Sequence, residues 1–410
     1  MNGPQDSPQR RDGPLSSVAR RRLALVASGL LALAGLGAGA VLWHGAGGGS
    51  SSSPSQVSGQ SVRAKQATHH AVRFTIEASG DLLVHSPVWE RALALGGGSR
   101  YDFAPELARV KPYVKRADLS FCHVETPMTP APPSSYPVFN TPPALAQGIR
   151  ATGWDACDTA SNHSLDQGQT GVDDTGKALD AAGIEHTGSF SAPDARRRIL
   201  IQRVHGVKVA FLAYTTDTNG IPAPHPWSVN IASANRVLAD AERAHELGAD
   251  AVIVNVHWGG QIAPEYEAQP SPGQLQLVKT LLASRWITVV VGQGPHVVQP
   301  IEHLAGKFAV FSEGNLISNQ GAVVGLPAPT QDGMIVLLRC VANGHVVRVR
   351  RVRYVPAYVN HPDLTVLPVG DGLEHGLGDA AALRASYQRT VGVVGVSRRI
   401  EPVPPRLPGG

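Results

Sequence analysis

The stretch Val72-Arg-Phe-Thr-Ile-Glu-Ala-Ser-Gly-Asp-Leu82 opens the folded part of this 410-residue chain. Val72, Phe74, Ile76 and Ala78 alternate with other residues at the period of a half-buried strand, and the strand runs straight into Gly80-Asp81. The same plan recurs downstream. Strands expected at 119–124, 154–160, 251–256 and 286–291 lead into Glu125, into Ser161-Asn162-His163, into His257-Trp258-Gly259 and into Gly292-Gln293-Gly294-Pro295-His296. Helical segments separate them: one starting at Pro105 with Leu107, Val110 and Val114 on one face, others ending near Gly153 and Gly183, and two at 232–247 and 274–284. Alternating strand and helix implies an α/β fold with a largely parallel core. Residues 199–204 and 207–214 read as a hairpin about His205-Gly206, 308–312 as a further strand, and 334–341 with 346–355 as an antiparallel pair. The mixture predicts two packed sheets. Residues 126–143 hold seven prolines in 18 positions, which excludes helix and central strand and leaves a loop.

Upstream of the domain the composition changes. Arg10, Arg11, Arg20, Arg21 and Arg22 precede an uncharged apolar run of 21 residues at 23–43. At ~1.5 Å per residue such a run spans a hydrocarbon core of about 30 Å, so one transmembrane helix is expected. The positive-inside rule makes 1–22 a cytoplasmic tail and places the main domain outside the cell membrane. A cleaved leader is the alternative, since Arg20-Arg21-Arg22-Leu23 and Ala38-Gly39-Ala40 fit an export signal, and the domain would then be secreted. Residues 44–70 form a Gly/Ser tether, 71–359 the folded domain, and 360–410 a Pro/Gly-rich extension with a short helical stretch near 380–388. Of the net charge of +4, three units belong to the tail and two to the tether, leaving −1 for residues 71–410. A folded domain of that balance argues against nucleic acid as a partner.

Three cysteines exclude a disulfide framework and a C-x-x-C zinc site. Cys122 and Cys157 fall on strands that could be neighbours, either as a disulfide or as two reduced buried thiols; Cys340 reads as core. Asp81, Glu125, Asn162, His163, His257 and His296 all lie at or just past strand C-termini, where open α/β sheets bind ligands. Carboxylate, amide and imidazole without thiolate suit Mn, Fe, Zn or Mg, as one or two ions able to activate a water. His123 reads as a structural residue on the other strand face. Tyr266, Glu265 and Glu267 read as a cleft edge or a solvated loop.

Six segments in order, Gly80-Asp81-Leu-Leu-Val-His85, Ala117 to Pro127, Ser161-Asn162-His163-Ser-Leu165-Asp166, His257-Trp258-Gly259, Pro295-His296-Val297-Val298-Gln299 and Ser312-Glu313-Gly314-Asn315-Leu316, resemble the motifs of the CapA family. These are capsule-synthesis proteins linked to poly-gamma-glutamate, and the resemblance covers about residues 72–355. It implies a calcineurin-like metallophosphatase fold, an α/β/β/α sandwich of two mixed sheets, and an extracytoplasmic, membrane-anchored protein. It also implies metal ligation by Asp81, Glu125, Asn162, His257 and His296, with His163 touching substrate or moving a proton. His85, Gln293 and Asn315 would line the site. His85 lies four residues after Asp81 where phosphoesterases place a ligand histidine two after, Glu125 stands for a bridging Asp, and Gln293 occupies a position where many relatives carry histidine. The resemblance implies work on an anionic cell-surface polymer, within a membrane polymer-synthesis complex. A metal-dependent phosphoester or amide hydrolase, and a non-catalytic polymer-binding subunit, are the alternatives.

Overall fold

The computed structural model describes residues 71–404, so the apolar run at 23–43, the tail before it and the tether after it lie outside the described residues. Among the described residues no helix is long and apolar enough to cross a membrane. The chain proceeds through β1 (Val72–Leu82), α1 (Ser86–Leu95), α2 (Lys111–Val114), β2 (Leu119–Val124), α3 (Leu145–Thr152), β3 (Ala156–Asp158), α4 (Gly168–Ala182) and β4 (Glu185–Thr187). Next come α5 (Pro193–Arg197), the antiparallel pair β5 (Leu200–Val204) and β6 (Val207–Thr215), then α6 (Ala234–Glu246), β7 (Ala251–His257), α7 (Pro272–Ala283) and β8 (Val289–Gln293). The remainder is strand-rich: β9 (Ile301–Leu304), β10 (Lys307–Val310), β11 (Asn315–Ile317), β12 (Asp332–Asn343), β13 (Val346–Asn360) and β14 (Thr365–Pro368), then α8 (Val369–His375), α9 (Ala380–Val394) and β15 (Ile400–Pro402).

Two mixed sheets result. One runs β14-β13-β12-β1-β2-β3-β4, with β11 beside β1 and β15 beside β13; the other runs β5-β6-β7-β8-β10-β9. Strand alternation sorts the side chains into layers. Phe74, Ile76, Phe121, Phe211, Ile253, Val289 and Val291 meet between the sheets, with the Phe121 and Phe211 rings stacked at 4.0 Å. Cys122, Val124 and Trp154 turn outward under Val88, Leu145 and Ile149 of the first helical layer. Val252, Val254 and Val256 turn the other way under Val237, Val278 and Leu281 of α6 and α7. Two sheets with helices outside each are the four-layer arrangement the resemblance implied. Helix boundaries follow local chemistry: Ser271 and Gln274 form a capping box on α7, and Gly183 ends α4 at φ 71°.

The helix expected from Pro105 is different. Residues 105–110 form successive turns, with Ala108 N–H donating to the Pro105 carbonyl and Val110 N–H to that of Leu107, and only Lys111–Val114 is helical. Pro112 has no N–H and its ring blocks the carbonyl four residues back, so a continuous helix cannot pass through it. Leu107, Val110 and Val114 are nevertheless buried, as their spacing predicted. The strand expected at 154–160 is confined to Ala156–Asp158.

Glu77 is an acid inside this framework, fully buried with Trp154 Nε1 donating to its Oε2 at 3.1 Å. Burial pushes its carboxyl from the ordinary 4.5 up to about 8, against the hydrogen bond from Trp154. A carboxyl raised on folding contributes fully below pH 4.5 and loses that contribution as pH climbs from 4.5 to about 8. Glu77→Gln, neutral at every pH, is therefore expected to gain stability over the parent as pH rises. The gain reaches several kcal/mol at pH 8, because each tenfold change in proton affinity between the folded and unfolded chain is worth ~1.36 kcal/mol. Urea midpoints at pH 5 and pH 8 measure this; a difference between the two proteins that does not change with pH would refute it.

Candidate metal centre

The site forms where parallel strands of both sheets end, and a break in strand period creates it. Ala78 pairs with Phe121 but Asp81 pairs with His123, so three steps along β1 match two along β2. That bulge turns Asp81 onto the face between the sheets, whereas strict alternation from Ala78 would turn it away. Gly80 makes the irregularity feasible, because a Cβ there would lie 1.9 Å from the Gly314 carbonyl oxygen. His123 shares the inter-sheet face with Phe121, two residues earlier, which corrects the structural role read for it from the sequence. His257 arrives on the same face of β7 as Ile253 and Asn255. His296 follows β8 with φ 58°, a left-handed backbone that is unusual for a residue with a Cβ.

Two buried groups converge here: Asp81, His123 and His257, and Asp81, Glu125 and His296, each with one ligand atom per residue and those atoms within 4.8 Å of one another. Asp81 belongs to both. Its Oδ1 is 3.6 Å from His123 Nε2 and 3.8 Å from His257 Nδ1, while Oδ2 is 3.3 Å from His296 Nδ1. Glu125 Oε1 lies 3.7 Å from His296 Nε2 and 4.0 Å from His257 Nε2. Asp81 Oδ1, both Glu125 carboxylate oxygens and His257 Nε2 are buried with no hydrogen-bond partner among the described residues. Buried polar atoms are ordinarily satisfied, and lone pairs of this kind facing one another call for a cation. The donor set therefore fits a divalent metal.

The electrostatics agree with that density of acid and base. Burial pushes the Glu125 carboxyl up to about 7, against the pull of His296. Burial opposes protonation of His296, yet Glu125 and Asp81 carry it up to about 10. Burial, then His123 and His296, hold His257 well below the usual imidazole range.

A chain of hydrogen bonds stands behind the ligand atoms. His123 donates Nδ1–H to Asp158 Oδ2 at 3.1 Å, which leaves Nε2 directed inward. Asp158 accepts from Asn255 Nδ2 at 2.5 Å, Asn255 Oδ1 accepts from Gln293 Nε2 at 2.9 Å, and Gln293 also donates to Glu313 at 2.9 Å. Carboxylate support of a ligating histidine fixes its tautomer and orientation. Gln293 spends its Nε2 on Asn255 and Glu313, while its Oε1 is buried with no hydrogen-bond partner among the described residues. A polar Asn255 within the apolar run of β7 was the sequence signal for this network, since a buried amide needs partners. Nothing in the local sequence of β3 marked Asp158.

The other expected residues take varied places. Asn315 Oδ1 receives His296 Nδ1 at 3.1 Å and so holds that ring. Asn162 keeps Oδ1 buried without a partner among the described residues while Nδ2 donates to Asn219 at 3.3 Å. His163 lies outside both groups, its Nδ1 2.7 Å from Asp166 and its ring edge-on to Phe139 at 4.7 Å. His85 also stays outside the groups, half-buried and edge-on to Phe139 at 5.3 Å, and burial pushes it down to about 4. Tyr266 stands 6.3 Å from the His296 ring.

The family model described as Bacterial capsule synthesis protein PGA_cap matches residues 75–320, which include every residue of the two groups. The chain belongs to this family. Among PGA_cap relatives it is 27% identical over 260 residues to "Capsule biosynthesis protein CapA" of Bacillus anthracis, covering 61% of each protein. It is 30% identical over 165 residues to "PGA biosynthesis protein CapA" of Bacillus subtilis, covering 40% of this chain and 42% of that protein. The alignments thus span less than two thirds of either relative. A solved calcineurin-like phosphoesterase of Bacillus subtilis superposes with a TM-score of 0.44 at 12% identity, over 79% of this chain and 99% of that one.

Proposed function

We propose that this PGA_cap protein acts at the cell envelope in the synthesis, export or attachment of an anionic polymer of the poly-gamma-glutamate type, through a divalent-metal centre. The carrying observation is Asp81 shared by two buried ligand groups in a chain whose relatives are named for capsule and PGA biosynthesis. Asp81, His123 and His257 would hold one ion, and Asp81, Glu125 and His296 a second, with Asn162 Oδ1 available nearby. Three imidazoles beside two carboxylates favour Mn, Fe or Zn over Mg. A bound ion there would supply Lewis acidity and an activated water. The protein's own groups do the rest. The Asp158–Asn255–Gln293 chain fixes His123, Asn315 fixes His296, and His163, held by Asp166 outside both groups, would take or give a proton. Anchoring by residues 23–43 would keep the domain outside the membrane and beside partner proteins that polymerise or export the chain.

A capsule-forming bacterium lacking its own family member tests this reading. The full chain is expected to restore surface poly-gamma-glutamate, and Asp81→Asn or His257→Ala, expressed equally, is expected to restore less than a tenth of it. Full restoration by the variants would remove the metal centre from the function; none by the parent chain would remove the polymer.

A further inference from the structure

Far from the metal centre, where β1 begins, the outer face of the larger sheet carries a furrow of arginines. Two adjoining cavities of about 670 and 380 Å³ share Thr75, Arg339 and Arg353 in their walls. Arg73, Arg350 and Arg351 complete the cationic lining of the first, and Arg116 that of the second. Six guanidinium groups therefore face two acids, Asp118 and Glu401. Both acids are engaged. Asp118 accepts from the Thr75 backbone at 2.7 Å and lies 2.8 Å from His205, and Glu401 pairs with Arg351 at 3.1 Å and Arg353 at 3.4 Å. Among the described residues Arg73, Arg116 and Arg350 make no ion pair, and all three are exposed.

The strand register sharpens this. Arg339 of β12 sits directly opposite Arg351 of β13, and the register slips at that point, with Arg350 as the extra residue. Like charges directly opposite one another destabilise a sheet, and bulges re-aim side chains. Arg339 donates to Thr75 Oγ1 at 2.7 Å and Arg351 pairs with Glu401, so the opposed arginines are held within the fold, whereas Arg350, the extra residue at the slip, is exposed with no acidic partner among the described residues and is open to a ligand. The furrow is also a separate place: Arg73 and Asp81 are eight residues apart on β1, roughly 25 Å at ~3.3 Å per residue.

We propose that this furrow binds the carboxylate-bearing polymer itself, as a track remote from the metal centre; this rests on the polymer reading above. Planar guanidinium groups take carboxylates in bidentate fashion, and a row of them suits a chain with one carboxylate per repeat. Only an extended polyanion would span both the furrow and a centre so far away. Each exposed contact is weak alone, so binding comes from several repeats engaging together.

The test uses the full chain in detergent, fluorescently labelled poly-gamma-glutamate, and the triple variant Arg73→Ala/Arg116→Ala/Arg350→Ala. The variant is expected to bind about tenfold more weakly, the size three exposed ion pairs supply, with a shallower salt dependence and unchanged metal content. Lysine at the three positions is expected to recover part of the loss. Free glutamate at equal carboxylate concentration is expected not to compete. Equal binding by parent and triple variant would overturn the furrow while leaving the polymer reading standing. No binding by the parent would also overturn it, and the capsule reading would then be decided by the restoration experiment. Arginine-dependent adsorption to phosphatidylglycerol vesicles without polymer binding would assign the furrow to a membrane surface and overturn the proposal.

Discussion

Asp81→Asn is expected to leave the protein folded but without bound metal, because it removes the one ligand common to both buried groups. The substitution preserves volume and replaces a charged oxygen by an amide, so the effect falls on affinity. Loss of an outer partner of a metal ligand typically costs about 10–100-fold in metal affinity, and loss of a shared first ligand is expected to exceed ~100-fold. Metal analysis of the purified full chain, with Mn, Fe and Zn measured together, reads the outcome. Asn255→Ala supplies the graded comparison. It leaves every ligand in place and removes the donor to Asp158, so affinity is expected to fall within the range of about 10–100-fold. Full metal occupancy in Asp81→Asn would show that the two groups are not the binding site.

The second large effect concerns the disulfide. Cys122 and Cys157, left open between bridged and reduced by sequence, are joined, with Cα atoms 4.5 Å apart on the adjacent strands β2 and β3. The bridge closes a loop of 35 residues, for which chain-entropy estimates give about 3–4 kcal/mol. Cys122→Ala/Cys157→Ala is expected to lose that much in urea unfolding, and the parent under strong reductant to approach it. A loss below ~1 kcal/mol would show that β2 and β3 are held by packing alone. The position adds a functional consequence. Cys122 precedes His123 and Cys157 precedes Asp158, and the same register that opposes the cysteines opposes His123 to Asp158. Loosening the bridge is therefore expected to weaken metal binding along with the fold. A bridge also suits an oxidising compartment, which the placement proposed for the domain would supply.

By itself the sequence determined much of this protein. Apolar alternation marked most strands of both sheets, and the ends of those strands marked Asp81, Glu125, His257 and His296, which the fold brings together. Local chemistry sufficed there, because a strand's period and its terminus are properties of a few neighbouring residues. The role of His123 was legible too, since it shares its parity with Phe121, but a buried histidine is ordinary enough to be read as structural. Other features belonged to tertiary structure alone. The β1 bulge depends on how β1 meets β2 and on the close approach of Gly314, so no period within β1 announces that Asp81 turns inward. The chain from Asp158 through Asn255 to Gln293 joins residues 97 and 38 apart in sequence, and the long-range pairing of strands decided which carboxylate each amide would meet.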